Sequence, residues 1–143
     1  MILADTNILL RSVHPHYSLA KNVLMELRIR SESLCLAPQN LVEFWAVATR
    51  PRNENGFGLT ATQAASELRN IQDFFRLLLY TPQVVEKFKE ILLAQGVSGK
   101  QTHDAHLVAV MQVHSVTSIL TFNEEDFKRY PGITVLNPAA QYL

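Results

Sequence analysis

The chain opens on an apolar run, Met1-Ile2-Leu3-Ala4, that stops abruptly at the polar triplet Asp5-Thr6-Asn7. Such a run is too short for a helix and lacks the alternation of a strand with one wet face. It reads as a strand buried on both sides and ending at Asp5. A strand of that kind needs parallel neighbours and helices packed over both faces, which confines the chain to layered α/β architectures.

The rest of the sequence repeats the alternation. A short helical stretch follows Asp5 directly. From Ser18 to Arg30, Leu19, Val23, Leu24 and Leu27 fall at helical spacing, with Ser18 placed to cap the start. Ser33 to Ala37 reads as a second strand stopped by Pro38, and Asn40 to Ala48 as a helix. Arg50 to Gly58 is a loop, Thr60 or Thr62 opens a helix to about Leu77, Leu78-Leu79-Tyr80 reads as a strand, and Pro82 to Gln95 as a helix ended by Gly96. His103 to His114 is helical, Ser118 to Thr121 an apolar strand, Asn123 to Asp126 an acidic turn, and Ile133 to Leu136 a last strand. The expected fold is a mostly parallel sheet covered by helices on both faces.

Composition narrows the classes. A chain of 143 residues suits a single domain over 1–143, and 48% hydrophobic with 18% charged residues excludes a disordered chain. The one cysteine, Cys35, rules out an intramolecular disulfide and a cysteine-rich zinc site. The first residues carry no basic leader, and no apolar run approaches the roughly 18 residues of a membrane span, so a cytoplasmic protein is expected. Thirteen basic and thirteen acidic side chains cancel. A nucleic-acid partner would then require segregation, with acids gathered around metal ions and Arg50, Arg52, Lys100, Lys128 and Arg129 around the rim.

In open parallel sheets, sites form beyond the carboxyl ends of the strands. Asp5 stands at such an end, Asn123 and Asp126 come after the Ser118 strand in the same way, and Glu43 and Asp104 lie near helix starts that can reach the same edge. Taken singly, Asp5 is a good helix cap and Asp104 a favourable charge in a first turn. Glu43 lies in an otherwise apolar segment, where a buried carboxylate needs a partner: Arg50 is the ordinary one, a metal ion the functional one. Clustered acids without cysteine suit Mg²⁺ or Mn²⁺, and two such ions roughly 3.5–4 Å apart stabilise the attacking and leaving oxygens of phosphate chemistry. His103 and His106 flank Asp104 and suit a surface or substrate-phosphate role, as Arg50 and Arg52 do. His14 and His16 read as ordinary loop, and Phe44-Trp45 and Phe74-Phe75 as core or subunit interface.

The ordered set Asp5-Thr6-Asn7, Leu41-Val42-Glu43-Phe44, His103-Asp104-Ala105-His106-Leu107 and Leu120 to Phe127 resembles the PIN domain of VapC-type toxins over essentially the whole chain. Ala48-Thr49-Arg50-Pro51-Arg52 and Leu136-Asn137-Pro138 look like one branch of that family. The resemblance implies a three-layer α/β/α sandwich with a central mostly parallel sheet, Mg²⁺ or Mn²⁺ in an acidic pocket, endonucleolytic cleavage of an RNA such as a transfer RNA, a homodimer and a small antitoxin partner. Asp5, Glu43 and Asp104 match its first three acids. Asn7 and Thr121 match polar neighbours that orient them. At the fourth position the chain departs from the pattern with Asn123, and Asp126 comes shortly after; either can fill the place. A PIN-fold module that binds RNA or protein without cutting is the competing class. A receiver domain lacks its lysine here, and a haloacid-dehalogenase-type phosphatase would want an acid at Asn7.

Overall fold

The computed structural model describes residues 1–141, so the last two positions of the domain expected over 1–143 lie outside the described residues. The strands are β1 (Ile2–Ala4), β2 (Leu34–Leu36), β3 (Arg76–Leu77), β4 (Ser118–Leu120) and β5 (Thr134–Leu136). The helices are α1 (Thr6–Val13), α2 (Leu19–Ile29), α3 (Pro38–Thr49), α4 (Ala61–Phe74), α5 (Pro82–Gln95), α6 (Gln101–Val113), α7 (Glu124–Phe127) and α8 (Pro138–Gln141). All four strand pairs are parallel, in the order β3-β2-β1-β4-β5.

Period-two alternation divides the side chains between two cores. Leu3, Cys35 and Ile119 point to the layer that holds Val84 and Ile91 of α5, Leu107 and Met111 of α6, and Phe127 of α7. Ile2, Ala4, Leu34, Leu36 and Leu120 point to the other, against Ile8 of α1, Leu27 of α2, Phe44 of α3 and Ile71 of α4. Both faces are therefore covered, as the continuous apolar strands require, and the architecture is the three-layer sandwich expected.

The strand order positions the site. The chain lays β1, β2 and β3 to one side, then returns to pair β4 with the free edge of β1, so the crossovers diverge between β1 and β4. Ala4 is level with Leu120, and the Asp5 N–H donates to the Leu120 carbonyl at 2.9 Å. The segments that leave β1 and β4 at their carboxyl ends thus meet at one edge of the sheet.

Several local expectations are corrected. Pro38 begins α3 as well as ending β2, because its fixed φ suits the first helical turn. Ser18 occupies the cap position of α2 but sits in a helical conformation and makes no side-chain cap bond. Thr60 does cap α4, reciprocally with Gln63. That helix ends at Phe74, and the third strand is Arg76–Leu77, not Leu78 to Tyr80. Phe75 must turn inward to fill the core, so pairing begins at once with Arg76 opposite Cys35. The acidic turn is the short helix α7, and the loop after α3 contains a 3-10 turn, Arg52–Glu54.

That loop is held by its glycine. A Cβ at Gly56 would lie 2.0 Å from the Arg50 carbonyl oxygen, whereas a Cβ on Gly96, at the left-handed end of α5, meets nothing within 4 Å. Gly56→Ala should therefore cost about 2 kcal/mol or more through forced backbone movement. Gly96→Ala should cost about 1 kcal/mol from its φ alone. Urea unfolding checks the ranking; equal midpoints for the two variants would contradict it.

Candidate active site

Asp5 caps α1, its Oδ1 accepting the Thr6 N–H at 2.8 Å. Its other oxygen faces β4, where the Thr121 hydroxyl donates to Oδ2 at 2.8 Å and the Asn7 amide donates at 3.3 Å. The Thr121 oxygen in turn accepts from Asn7 Nδ2 at 3.2 Å and from the Asn123 N–H at 3.0 Å. A hydroxyl has one proton and two acceptor sites, so Thr121 is fully used. Asn7 Oδ1 takes the Phe122 N–H at 3.3 Å, which closes the network across the β1–β4 seam.

A second set of bonds holds the α3 side. Asn40, fully buried, accepts the Ala37 N–H at 2.9 Å and donates to the Thr6 hydroxyl at 3.1 Å, fixing the start of α3 against the start of α1. Gln39 donates to Glu43 Oε1 and to the His103 carbonyl, both at 2.8 Å, while its Oε1 faces His106 Nδ1 at 2.6 Å. One amide therefore ties Glu43 on α3 to α6, the helix that carries Asp104. The His106 ring packs between Tyr80 and Phe88. Burial, with help from His103, pushes its pKa below the usual value against the pull of Glu43.

The charges of Glu43 and Asp126 act on both Asp5 and Asp104, and that of Asp5 acts on Asp104 as well. Burial lifts the Asp5 pKa from 3.8 to about 6 in spite of the Thr121 and Thr6 hydrogen bonds, with Glu43 and Asp126 adding to the rise. Burial also lifts Asp104 to about 7, with Asp5, Asp126 and Glu43 all contributing. Among the described residues no ion pair includes any of these acids. No three His, Cys, Asp or Glu side chains there close around one point as they would about an ion. The set is oxygen-only and uncompensated, a donor chemistry that fits a hard cation.

Of the two partners open to Glu43, the ordinary one is not found: among the described residues it makes no ion pair with Arg50. Glu43 is half-buried rather than enclosed, and Arg50 ends α3 with its carbonyl accepting the Gly58 N–H at 2.8 Å. Arg52 reaches the Phe57 carbonyl at 3.4 Å in the same loop. Asn123 and Asp126 are both exposed; Asn123 enters the network through its backbone only, whereas the charge of Asp126 acts on both Asp5 and Asp104. The basic rim is partly committed elsewhere. Lys128 pairs with Glu124 and Glu125, and Arg129 binds the side chain of Gln101 and the carbonyl of Gln95. Sequence reasoning missed Gln39 and Asn40. The one signal for Gln39 was its position a helical turn before Glu43.

A family model described as the PIN domain matches residues 2–133. No curated protein matches in sequence. Among solved structures, the chain is similar to one of VapBC2 from Rickettsia felis bound to a DNA fragment from its promoter. The TM-score is 0.72 at 20% identity, over 96% of this chain and 98% of that one. A toxin–antitoxin complex from Klebsiella pneumoniae gives 0.67 at 20% identity, with the same coverage of each chain. The sarcin–ricin-loop-cleaving toxin VapC20 from Mycobacterium tuberculosis gives 0.57 at 18% identity, over 83% of this chain and 87% of that one. At these identities the likeness is one of fold.

The raised carboxylates fix a pH dependence. Asp5 and Asp104 hold their protons more tightly folded than unfolded, so the folded state binds more protons between the unfolded value near 3.8 and the folded values of about 6 and about 7. Stability of the metal-free protein should then fall as pH rises through that window. Asp104→Asn should raise the melting temperature at about pH 8, where the charge is present, and leave it nearly unchanged at about pH 4. Thermal unfolding in EDTA checks this, and the same shift at both pH values would contradict it.

Proposed function

This chain belongs to the PIN domain family, and from that premise we propose that it is a metal-dependent endoribonuclease, the toxin of a VapBC-type toxin–antitoxin pair. The observation that carries the reading is the uncompensated set Asp5, Glu43, Asp104 and Asp126 beyond the carboxyl ends of β1 and β4. Two neighbours in fold add support: one is described as a toxin–antitoxin complex, the other as a toxin that cleaves the sarcin–ricin loop.

Asp5, Glu43 and Asp104, with Asp126, would hold Mg²⁺ or Mn²⁺. When bound, such an ion polarises the scissile phosphodiester and activates the attacking water. The residues themselves prepare the place. Three donors fix the Asp5 carboxylate in one orientation and leave acceptor capacity on Oδ1. Gln39 fixes Glu43. Asp5 and Asp104, whose pKa values burial raises to about 6 and about 7, would bind the cation in their ionised forms, which an opposite charge favours. Of the two candidates for the fourth position we favour Asp126, whose charge reaches both acids, and assign Asn123 to orienting Thr121 through its N–H.

Among the described residues no helix is long and apolar enough to cross a membrane. The proposed setting is the cytoplasm, with a homodimer of a single-domain chain held inactive by a small cognate antitoxin.

Cleavage of a labelled RNA should vanish in EDTA and return with Mg²⁺ or Mn²⁺ but not with Ca²⁺, whose larger, looser shell positions the attacking water poorly. In single-turnover cleavage at saturating Mn²⁺, Asp5→Ala should lose about a thousandfold or more in rate, roughly 4 kcal/mol of barrier. Asp126→Ala should approach that defect, whereas Asn123→Ala should lose about tenfold or less. Robust cleavage in EDTA by nuclease-free protein would sink the proposal. Near-wild-type rates for both Asn123→Ala and Asp126→Ala would remove α7 from the site.

A further inference from the structure

Asn7 belongs to two places at once. It joins the Asp5–Thr121 network, and it also lines a cleft of about 590 Å³ together with Arg11, His14, His16, Tyr17 and Phe57. That volume lies in the range of about 300–1,000 Å³ in which small ligands are held. The cleft begins where the acidic crevice ends, and its chemistry is opposite: aromatic faces, ring nitrogens and a guanidinium in place of carboxylates.

The parts are ordered. The Arg11 guanidinium lies 4.1 Å from the Phe122 ring centroid and 5.3 Å from that of Tyr17, and among the described residues it makes no ion pair. Tyr17 meets Phe122 edge to face at 5.8 Å. Phe57 is pinned by its own backbone, its N–H donating to the Val47 carbonyl at 3.1 Å and its carbonyl accepting from Arg52. His14 meets the Phe57 ring edge to face at 5.6 Å, and its Nδ1 accepts the His16 N–H at 3.2 Å. That bond engages Nδ1 of His14, an exposed residue of the cleft wall, and leaves Nε2 as the ring nitrogen that can donate to a ligand. The segment is the loop expected, and its contacts with Phe57 make it one wall of the cleft.

We propose that this cleft takes one unpaired nucleobase of the RNA strand, stacked on Tyr17 and Phe57, while Arg11 and His14 Nε2–H bind the adjoining phosphate and sugar oxygens. The inference rests on the ribonuclease reading and deepens it, because it makes the nucleotide beside the scissile phosphate a determinant of where the strand is cut. Aromatic rings with an arginine form a stacking platform that accepts the π-face of any base. Bases in a duplex are stacked within the helix, so the target must be a loop, bulge or end. A phosphate chain led to an acidic crevice in a protein of zero net charge needs a local cation beside it, and Arg11 is unpaired there among the described residues.

The test is equilibrium binding, by fluorescence anisotropy, of a short labelled single-stranded RNA to the full chain in Ca²⁺, together with single-turnover cleavage in Mn²⁺. The same strand with abasic sites serves as a second probe. Phe57→Ala and Tyr17→Ala should each weaken binding of the intact strand about tenfold, and Phe57→Tyr should restore it. Binding of the abasic strand should be unchanged by either alanine. Arg11→Ala should lower the slope of log affinity against log salt by about one for both strands. Wild-type affinity in both alanine variants would overturn the inference while leaving the nuclease reading intact. Equal losses for intact and abasic strands would also overturn it, and would reassign the cleft to the RNA backbone. A base-dependent loss of binding in a protein that cleaves no RNA would instead preserve the inference and reject the nuclease.

Discussion

The hydrogen bond between the Thr121 hydroxyl and Asp5 Oδ2, at 2.8 Å, spans the seam between β1 and β4, and the site is assembled from it. It exists because the strands are parallel and in register, Ala4 beside Leu120, so that the residues immediately after them emerge at the same level. From Thr121 the network runs to Asn7 and to the N–H of Asn123; from Thr6, beside Asp5, it runs through Asn40 to the start of α3, which brings Glu43. The acidic groups of the candidate site are therefore placed by strand pairing and helix starts.

The same placement has a thermodynamic cost. Burial and mutual repulsion lift the protonation of Asp5 and Asp104 well above that of free carboxylates, and no basic side chain among the described residues answers them. Basic residues exist nearby in sequence, yet Lys128 and Arg129 are turned to Glu124, Glu125, Gln101 and Gln95. A protein that holds acids together in this way retains a repulsion that a cation relieves, and stability given up at a site is the common companion of function.

The parts of the fold legible in the sequence are those fixed by hydrophobic burial. The run before Asp5 announced a buried strand, and the polar triplet after it announced a strand end, because burial leaves so few alternatives for so short a segment. The placement of Asp104 in the first turn of α6 was legible from the helical spacing after it, and that of Thr121 to within one residue, since it was read as the last residue of a strand that ends at Leu120. The third strand was misplaced because Leu78, Leu79 and Tyr80 look more strand-like than Arg76 and Leu77, while an edge strand is set by the backbone bonds available to it, here at Cys35 and Leu36. Gln39 and Asn40 were silent because an amide carries no charge and no periodicity, and its worth lies in partners that only the fold supplies. The partnership of Glu43 with Arg50 failed on geometry, since Arg50 ends α3 and turns into the loop closed by Gly56. His14 and His16 do lie in a loop, and the contact of His14 with Phe57 was silent because the two are distant in sequence.

The central claim is that the acids after β1 and on α6 form a cation site whose protons leave when the cation enters. Calorimetric titration of the metal-free protein with Mn²⁺, in two buffers of different ionisation enthalpy, tests it most directly. At about pH 6.5, between the raised values of Asp5 and Asp104, the apparent binding enthalpy should differ between the buffers, because each ion bound releases protons for the buffer to take up. At about pH 8.5, with both groups already ionised, the two buffers should agree. Identical enthalpies in the two buffers at the lower pH, or no Mn²⁺ binding at either, would contradict the claim.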